Sequence, residues 1–345
     1  MNDVPAGLDL DALDALDAYL QTSAPDLFSG PLRARLISGG RSNLTYEVTD
    51  GDRRLVLRRP PLGHVLATAH DMAREYRVIS ALAGTAVPVP RSHLLCEDDS
   101  VLGAPFYLMD LVVGTPYRTA EQLEPLGAER TRVISERMVD TLAALHAVDP
   151  ATVGLEDFGR PQGFLERQVR RWTTQLENSH SRDLDGADEL HRLLVDNLPG
   201  DGEVGIVHGD YRLDNVLVDD DDKVVAVLDW EMATLGDPLT DVALLLVYQR
   251  LARENTEFPV STVSRAPGFL GDDELLARYE AAGGRDLSDM AFHLALAYYK
   301  LAVILEGIYF RFRQGKTVGD GFEELGRGVE PLLHAGIHAL TSRKS

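Results

Sequence analysis

Ile206-Val-His-Gly-Asp-Tyr-Arg-Leu-Asp-Asn215 runs into Val216-Leu-Val218, four aspartates (Asp219 to Asp222), Lys223 to Leu228, and Asp229-Trp230-Glu231. This stretch decides the fold. It reads as strand, polar loop, strand, tight turn, strand and acidic loop, because the valine-rich runs are β-branched and the aspartates between them are turn formers. A hairpin returns the chain to where it started. The pattern therefore predicts that Asp210, Asn215 and Asp229 converge.

That set suits phosphoryl transfer. Asp210 can accept the proton of an attacking hydroxyl. Asn215 and Asp229 are hard oxygen ligands for Mg²⁺, and once the metal neutralises phosphate charge the remaining work is positioning. A bare His-x-Asp would be read as a solvated acidic hairpin that binds nothing. The complete string with its trailing acids is far more specific. A metal hydrolase built on His208, Asp210, Asp229 and Glu231 is disfavoured, since zinc sites want more His or Cys.

The spacing His208-x-Asp210-x-x-x-x-Asn215, with Asp229 fourteen positions on, resembles the protein-kinase catalytic loop and its metal-binding aspartate. The His-Gly-Asp opening, and Asp-Trp-Glu in place of Asp-Phe-Gly, are more similar to the aminoglycoside phosphotransferase and choline kinase family of small-molecule kinases. The resemblance implies an α+β, protein-kinase-like bilobal fold. A helical extension (1–30) would precede a small antiparallel β-rich N-lobe (31–112) and a larger, mostly helical C-lobe (113–345). It implies an ATP-dependent (GTP as the alternative), Mg²⁺-dependent kinase acting on a hydroxyl of a small molecule. Asp210 would be the base, with His208 bracing the catalytic loop, and Glu231 a candidate for a second metal or for substrate.

Working outward, Gly39-Gly40-Arg41-Ser42-Asn43 sits at a strand crossing. Small residues there let backbone N–H groups approach phosphate oxygens. In kinases the third strand carries a phosphate-binding lysine paired with a helix glutamate. No lysine precedes Lys223 here. The matching position is Arg58, as in choline-kinase-like members, and a guanidinium can make the same pair and bind phosphate bidentately. Its expected partner is Glu75, on a helix spanning 72–82. The missing lysine also motivates the alternative, a nucleotide-binding pseudokinase that signals or scaffolds. In the kinase-like layout, Asp110 and Leu111 would flank the adenine.

Residues 157–175 concentrate Arg160, Arg167, Arg170, Arg171 and Trp172 in an otherwise acidic chain. The segment resembles the family branch found alone in bacteria and fused to acyl-CoA dehydrogenases in animals. Arg167 and Arg171 could hold an anionic part of a substrate. The favoured reading is a helix packing Phe164, Leu165, Val169 and Trp172, its arginines paired with acids. Asp241 is expected to buttress the catalytic loop, and His146 is assigned no role.

Composition sets the outer limits. With 55 acidic and 34 basic residues the formal charge is −21. Nucleic acid and anionic membranes are therefore unfavoured partners; the small hydroxylated partner is what the family resemblance implies. Cys96 is the only cysteine, which fits a reducing cytoplasm. The start of the chain lacks signal-peptide character. The apolar run 290–310 carries His293, Lys300 and Glu306, which predicts a buried helix and not a membrane span.

Overall fold

The computed structural model describes residues 8, 10–39, 43–61, 71–179, 182–200, 202–254, 261–316 and 322–342. Two compact units divide the chain: Met1–Gly114 with Val225–Ala233, and Thr115–Val224 with Thr234–Ser345.

The first unit contains α1 (Leu10–Ser23), β1 (Arg33–Gly39), β2 (Leu44–Thr49), β3 (Arg54–Arg59), α2 (Met72–Leu82), β4 (Ser92–Cys96), α3 (Asp99–Leu102) and β5 (Phe106–Asp110). The five strands form an antiparallel sheet in the order β1-β2-β3-β5-β4. Strand alternation gives it two apolar faces. Leu44, Tyr46 and Val48 of β2, with Leu55 and Leu57 of β3, pack against Leu16 and Leu20 of α1. The acidic amphipathic helix thus covers its own sheet. On α2, Asp71 caps the first turn by accepting from the Arg74 N–H at 2.9 Å. The helix buries Met72, Val78, Ile79 and Leu82, and with them Glu75.

The second unit contains α4 (Ala120–Leu123), α5 (Gly127–His146), α6 (Phe164–Ser179), α7 (Ala187–Asp196), β6 (Gly205–Val207) and β7 (Val216–Val218). β8 (Val224–Val227) begins at the boundary and runs into the first unit. β9 (Thr234–Gly236), α8 (Leu239–Arg253), α9 (Asp272–Ala281), α10 (Met290–Arg313), α11 (Phe322–Arg327) and α12 (Val329–Thr341) return to the second unit. β6 pairs antiparallel with β9. The turn after β7 closes through Asp219 N–H to the Lys223 carbonyl at 2.9 Å. The small sheet and the helical unit are the α+β, protein-kinase-like fold the resemblance implies.

α10 is long and apolar enough to cross a membrane, but it is largely buried, packed against α6, α8, α11 and α12. The C-terminal helices α11 and α12 are separated at Gly328. Gly326 lies against the Tyr309 ring, where a Cβ would come within 2.6 Å.

Gly268 shows how tightly the helical unit is packed. Its φ is +90°, and a Cβ there would sit 2.0 Å from the Ala128 carbonyl oxygen. Strain and overlap act together at this position. Gly268→Ala is expected to cost about 2–4 kcal/mol of unfolding free energy in urea melts; a change within ~0.5 kcal/mol would show the packing is looser than described.

Candidate active site

In the second unit, β6 ends at Val207 and the chain enters His208-Gly209-Asp210 before a short 3₁₀ turn, Leu213–Asn215. The loop cannot pair its backbone as helix or sheet. Asp241, fully buried in the first turn of α8, takes that place. Its Oδ2 accepts from the His208 N–H at 2.6 Å and its Oδ1 from the Gly209 N–H at 2.7 Å. Gly209 has a φ of +87°, which only glycine adopts freely. Behind Asp241, His146 places Nε2 3.3 Å from Oδ2 and Nδ1 2.7 Å from the Tyr279 hydroxyl. Tyr211 anchors the far side, its hydroxyl donating to the Met138 carbonyl at 2.7 Å.

Asp210 stands on this braced loop, partly open to solvent. Asn215 donates Nδ2 to its carbonyl at 2.9 Å and to its Oδ2 at 3.1 Å. That turns the Asn215 amide oxygen away from Asp210. Arg212 lies 3.2 Å from Asp210 Oδ1 and 3.2 Å from Asp214 Oδ2, its guanidinium 4.9 Å from the Tyr248 ring centroid. His208 is fully buried, and its Nδ1 accepts from the Asp210 N–H at 3.3 Å. This is bracing geometry.

In the first unit, Arg58 joins two acids. Its Nε donates to Glu75 Oε2 at 3.0 Å and its Nη2 to Asp229 Oδ1 at 2.5 Å. Burial opposes the Arg58 charge, but Glu75, Tyr107 and Asp229 outweigh it and raise the pKa. Glu75 is also pushed up, first by burial and then by Asp229, against the pull of Arg58. Two carboxylates thus share one cation. Asp229 has a φ of +65°, and its side chain is 32% exposed. Its second oxygen makes no hydrogen bond among the described residues.

These donors fit a hard divalent cation. Asp229 Oδ2 in the first unit and, taken by itself, Asn215 Oδ1 in the second are hard oxygen donors of the kind Mg²⁺ takes. Among the described residues no group of three or more His, Cys, Asp or Glu gathers into a metal cluster. Mg²⁺ commonly takes only one or two protein oxygens and completes its shell with water and phosphate.

The other expected residues divide. Asn43 donates to Glu231 Oε2 at 3.4 Å within the first unit, so Glu231 is tied beneath the β1–β2 crossing. Gly39 ends β1, whereas Gly40 and Ser42 fall outside the described residues. Asp110 has its carboxylate 2.6 Å from His93 Nε2 and its N–H on the Arg91 carbonyl; Leu111 follows, partly exposed. α6 buries Phe164, Leu165, Val169 and Trp172, as expected. Arg167 donates to the carbonyls of Arg160 and Gln162, so its guanidinium closes the preceding loop instead of pairing with an acid. Arg171 lies over the Trp172 ring at 5.1 Å. Sequence reasoning missed His146, Tyr211 and Lys300. Lys300 donates Nζ to the Gly209 carbonyl at 3.3 Å.

The chain matches the phosphotransferase enzyme family over residues 33–293. It is 35% identical over 323 residues to acyl-CoA dehydrogenase family member 11 of Gallus gallus, covering 91% of this chain and 41% of that protein. The chain therefore spans about two fifths of that relative's length. Among solved structures it resembles a protein of Ralstonia eutropha JMP134 described as a candidate aminoglycoside phosphotransferase, with 32% identity and a TM-score of 0.84 over 95% of this chain and 98% of that one. A thermostable mutant of aminoglycoside phosphotransferase APH(4)-Ia, in ternary complex with AMP-PNP and hygromycin B, matches at 15% identity and a TM-score of 0.62, covering 94% and 98%. At that identity the likeness concerns the fold alone.

Burial works against the Asp241 charge, but the hydrogen bond and charge of His146, and then His208, hold its carboxyl below the usual range. A lowered folded pKa stabilises the protein above the ordinary carboxylate value of ~3.9 and loses that contribution as pH falls below it. Asp241→Asn puts an amide donor against a backbone donor and is expected to cost about 2–4 kcal/mol at pH 7. Urea melts from pH 7 to pH 3 should show a shallower acid loss in the variant than in the parent; equal slopes would remove Asp241 as their source.

Proposed function

Because the chain belongs to the phosphotransferase enzyme family, we infer that it is an ATP- and Mg²⁺-dependent kinase that phosphorylates a hydroxyl of a small molecule. The observation that carries this reading is the Asp210 carboxylate, held by Asn215 on a loop whose two preceding backbone N–H groups end in Asp241. A base positioned this way loses little freedom when the acceptor arrives.

Asp210 takes the proton of the acceptor hydroxyl as the oxygen attacks the terminal phosphorus of ATP. The bond from that phosphorus to the bridging oxygen breaks, and ADP leaves. Arg58, oriented by Glu75, offers N–H donors to phosphate oxygens. Asp229 in the sheet unit and Asn215 in the helical unit would each offer an oxygen to Mg²⁺, and the ion would supply neutralisation of phosphate charge. Arg212 ties Asp210 to Asp214 and keeps the base from swinging free.

The missing N-terminal lysine does not favour a pseudokinase here, because Arg58 makes the glutamate pair that the lysine would make. Guanidinium donors remain able to meet phosphate.

ATP consumption with Mg²⁺ and a panel of hydroxylated acceptors tests the reading. Asp210→Asn should lower kcat by about 10²–10⁴ with an unchanged melting midpoint, and full activity in that variant would remove Asp210 as base. Glu75→Gln should raise the KM for ATP about ten-fold by freeing Arg58, an effect of ~1.4 kcal/mol. An unchanged KM would detach Arg58 from the nucleotide.

A further inference from the structure

Two cations approach one indole beside the catalytic loop. Trp172 on α6 is 5% exposed. The Arg171 guanidinium carbon lies 5.1 Å from its ring centroid, and Lys300 Nζ, reaching across from α10, lies 5.8 Å away. Lys300 also touches the loop itself, donating to the Gly209 carbonyl one residue before Asp210.

Neither cation forms an ion pair among the described residues. Among the described residues the Gly209 carbonyl is the one hydrogen-bond acceptor of Lys300, and Arg171 has no carboxylate partner. The nearby acids are engaged elsewhere: Asp210 with Arg212 and Asn215, Asp241 with two backbone N–H groups and His146. A partly buried ammonium with one of its three N–H groups used is costly unless an anion completes it. Burial depresses the Lys300 pKa, and Arg171 depresses it further against the pull of Asp210 and Asp241. The contact with the indole also draws the Arg171 guanidinium toward the ring.

We propose that Lys300 and Arg171, arranged around Trp172 next to Asp210, form a subsite for a small oxyanion, a carboxylate or phosphate group, carried by the acceptor. The proposal rests on the kinase reading only for the identity of that ligand as acceptor. It makes the substrate a hydroxylated acid, with its hydroxyl at Asp210 and its anion at Lys300. Polycationic acceptors are thereby disfavoured.

The test uses the full chain with Mg²⁺-ATP and four acceptor sets: short hydroxycarboxylates, phosphate monoesters bearing a free hydroxyl, the neutral amides and polyols that match them, and amino sugars. Binding of the same anions is followed in parallel by Trp172 emission, read as the difference from Trp172→Phe. Transfer is expected to one anionic set and not to the neutral or cationic ones, and the productive set tells carboxylate from phosphate. Lys300→Met and Arg171→Ala should each raise the acceptor KM at least ten-fold, with the KM for ATP unchanged and Lys300→Arg largely retaining the parent value. Arg171 makes no loop contact, so its variant reads the subsite without disturbing Gly209.

Equal use of neutral or cationic acceptors, or variants that move only the KM for ATP, would overturn the subsite and leave the kinase reading intact. Absence of transfer to every acceptor, with an anion-dependent emission change that Lys300→Met abolishes, would keep the subsite and sink the kinase reading. Neither transfer nor any emission response would overturn the proposal.

Discussion

One buried carboxylate receiving two consecutive backbone N–H groups sets the geometry of the helical unit's active loop. Asp241 sits in the first turn of α8, where a negative charge is favoured by the helix dipole. It draws the His208 and Gly209 amides onto that helix end. Without such an acceptor the two N–H groups would be buried and unsatisfied, at a cost of roughly 1–3 kcal/mol each. His146 brings in the end of α5, and Tyr279 brings in α9. Three helices therefore meet at one side chain, and the direction of Asp210 follows from where they meet.

The sheet unit solves a related problem with the opposite charge. Arg58 reaches Glu75 with Nε and Asp229 with Nη2 at the same time. A guanidinium holds these donors in a rigid fork, whereas a lysine ammonium is a single point on a flexible stem. The absence of lysine from this half of the chain is accordingly not a lost function. Asp229 adopts a left-handed conformation, which aspartate tolerates better than most residues but still at some cost. The turn is fixed by Trp230, fully buried, whose indole N–H donates to the Val227 carbonyl at 3.0 Å.

Features with local signals were legible in the sequence. The helix at 72–82 and the apolar run at 290–310 have patterns that fit within a short window. The acidic loop was legible because its chemistry and spacing are local too. What escaped depends on distant partners. His146 acts through Asp241, 95 residues away, and Lys300 through Gly209, 91 residues away; nothing near either residue announces the contact. β9 is three residues long and exists because β6 pairs with it. Arg167 was expected to pair with an acid, but its direction is set by the carbonyls of the loop before α6. Glu75 could be paired with Arg58 from the helix spacing, yet its burial could not, since the apolar stripe leaves no obvious room for an acid.

Composition is a poor guide to the charge of the acceptor. The formal charge of −21 favours cations at long range, but physiological salt screens that field beyond about 8 Å. Much of the acidity also lies far from chemistry, as in the Asp219–Asp222 turn, where Arg130 and Arg137 already bind the Asp222 carboxylate and the turn's carbonyls. Beside the catalytic loop, acids and bases are interleaved. Arg212 is matched by Asp210 and Asp214, whereas Lys300 and Arg171 stand around Trp172 with no carboxylate of their own. A bound molecule meets the few side chains it touches, with partial desolvation strengthening each charge. Under the proposed subsite, the side chains beside the base, and not the sign of the whole chain, would select the acceptor.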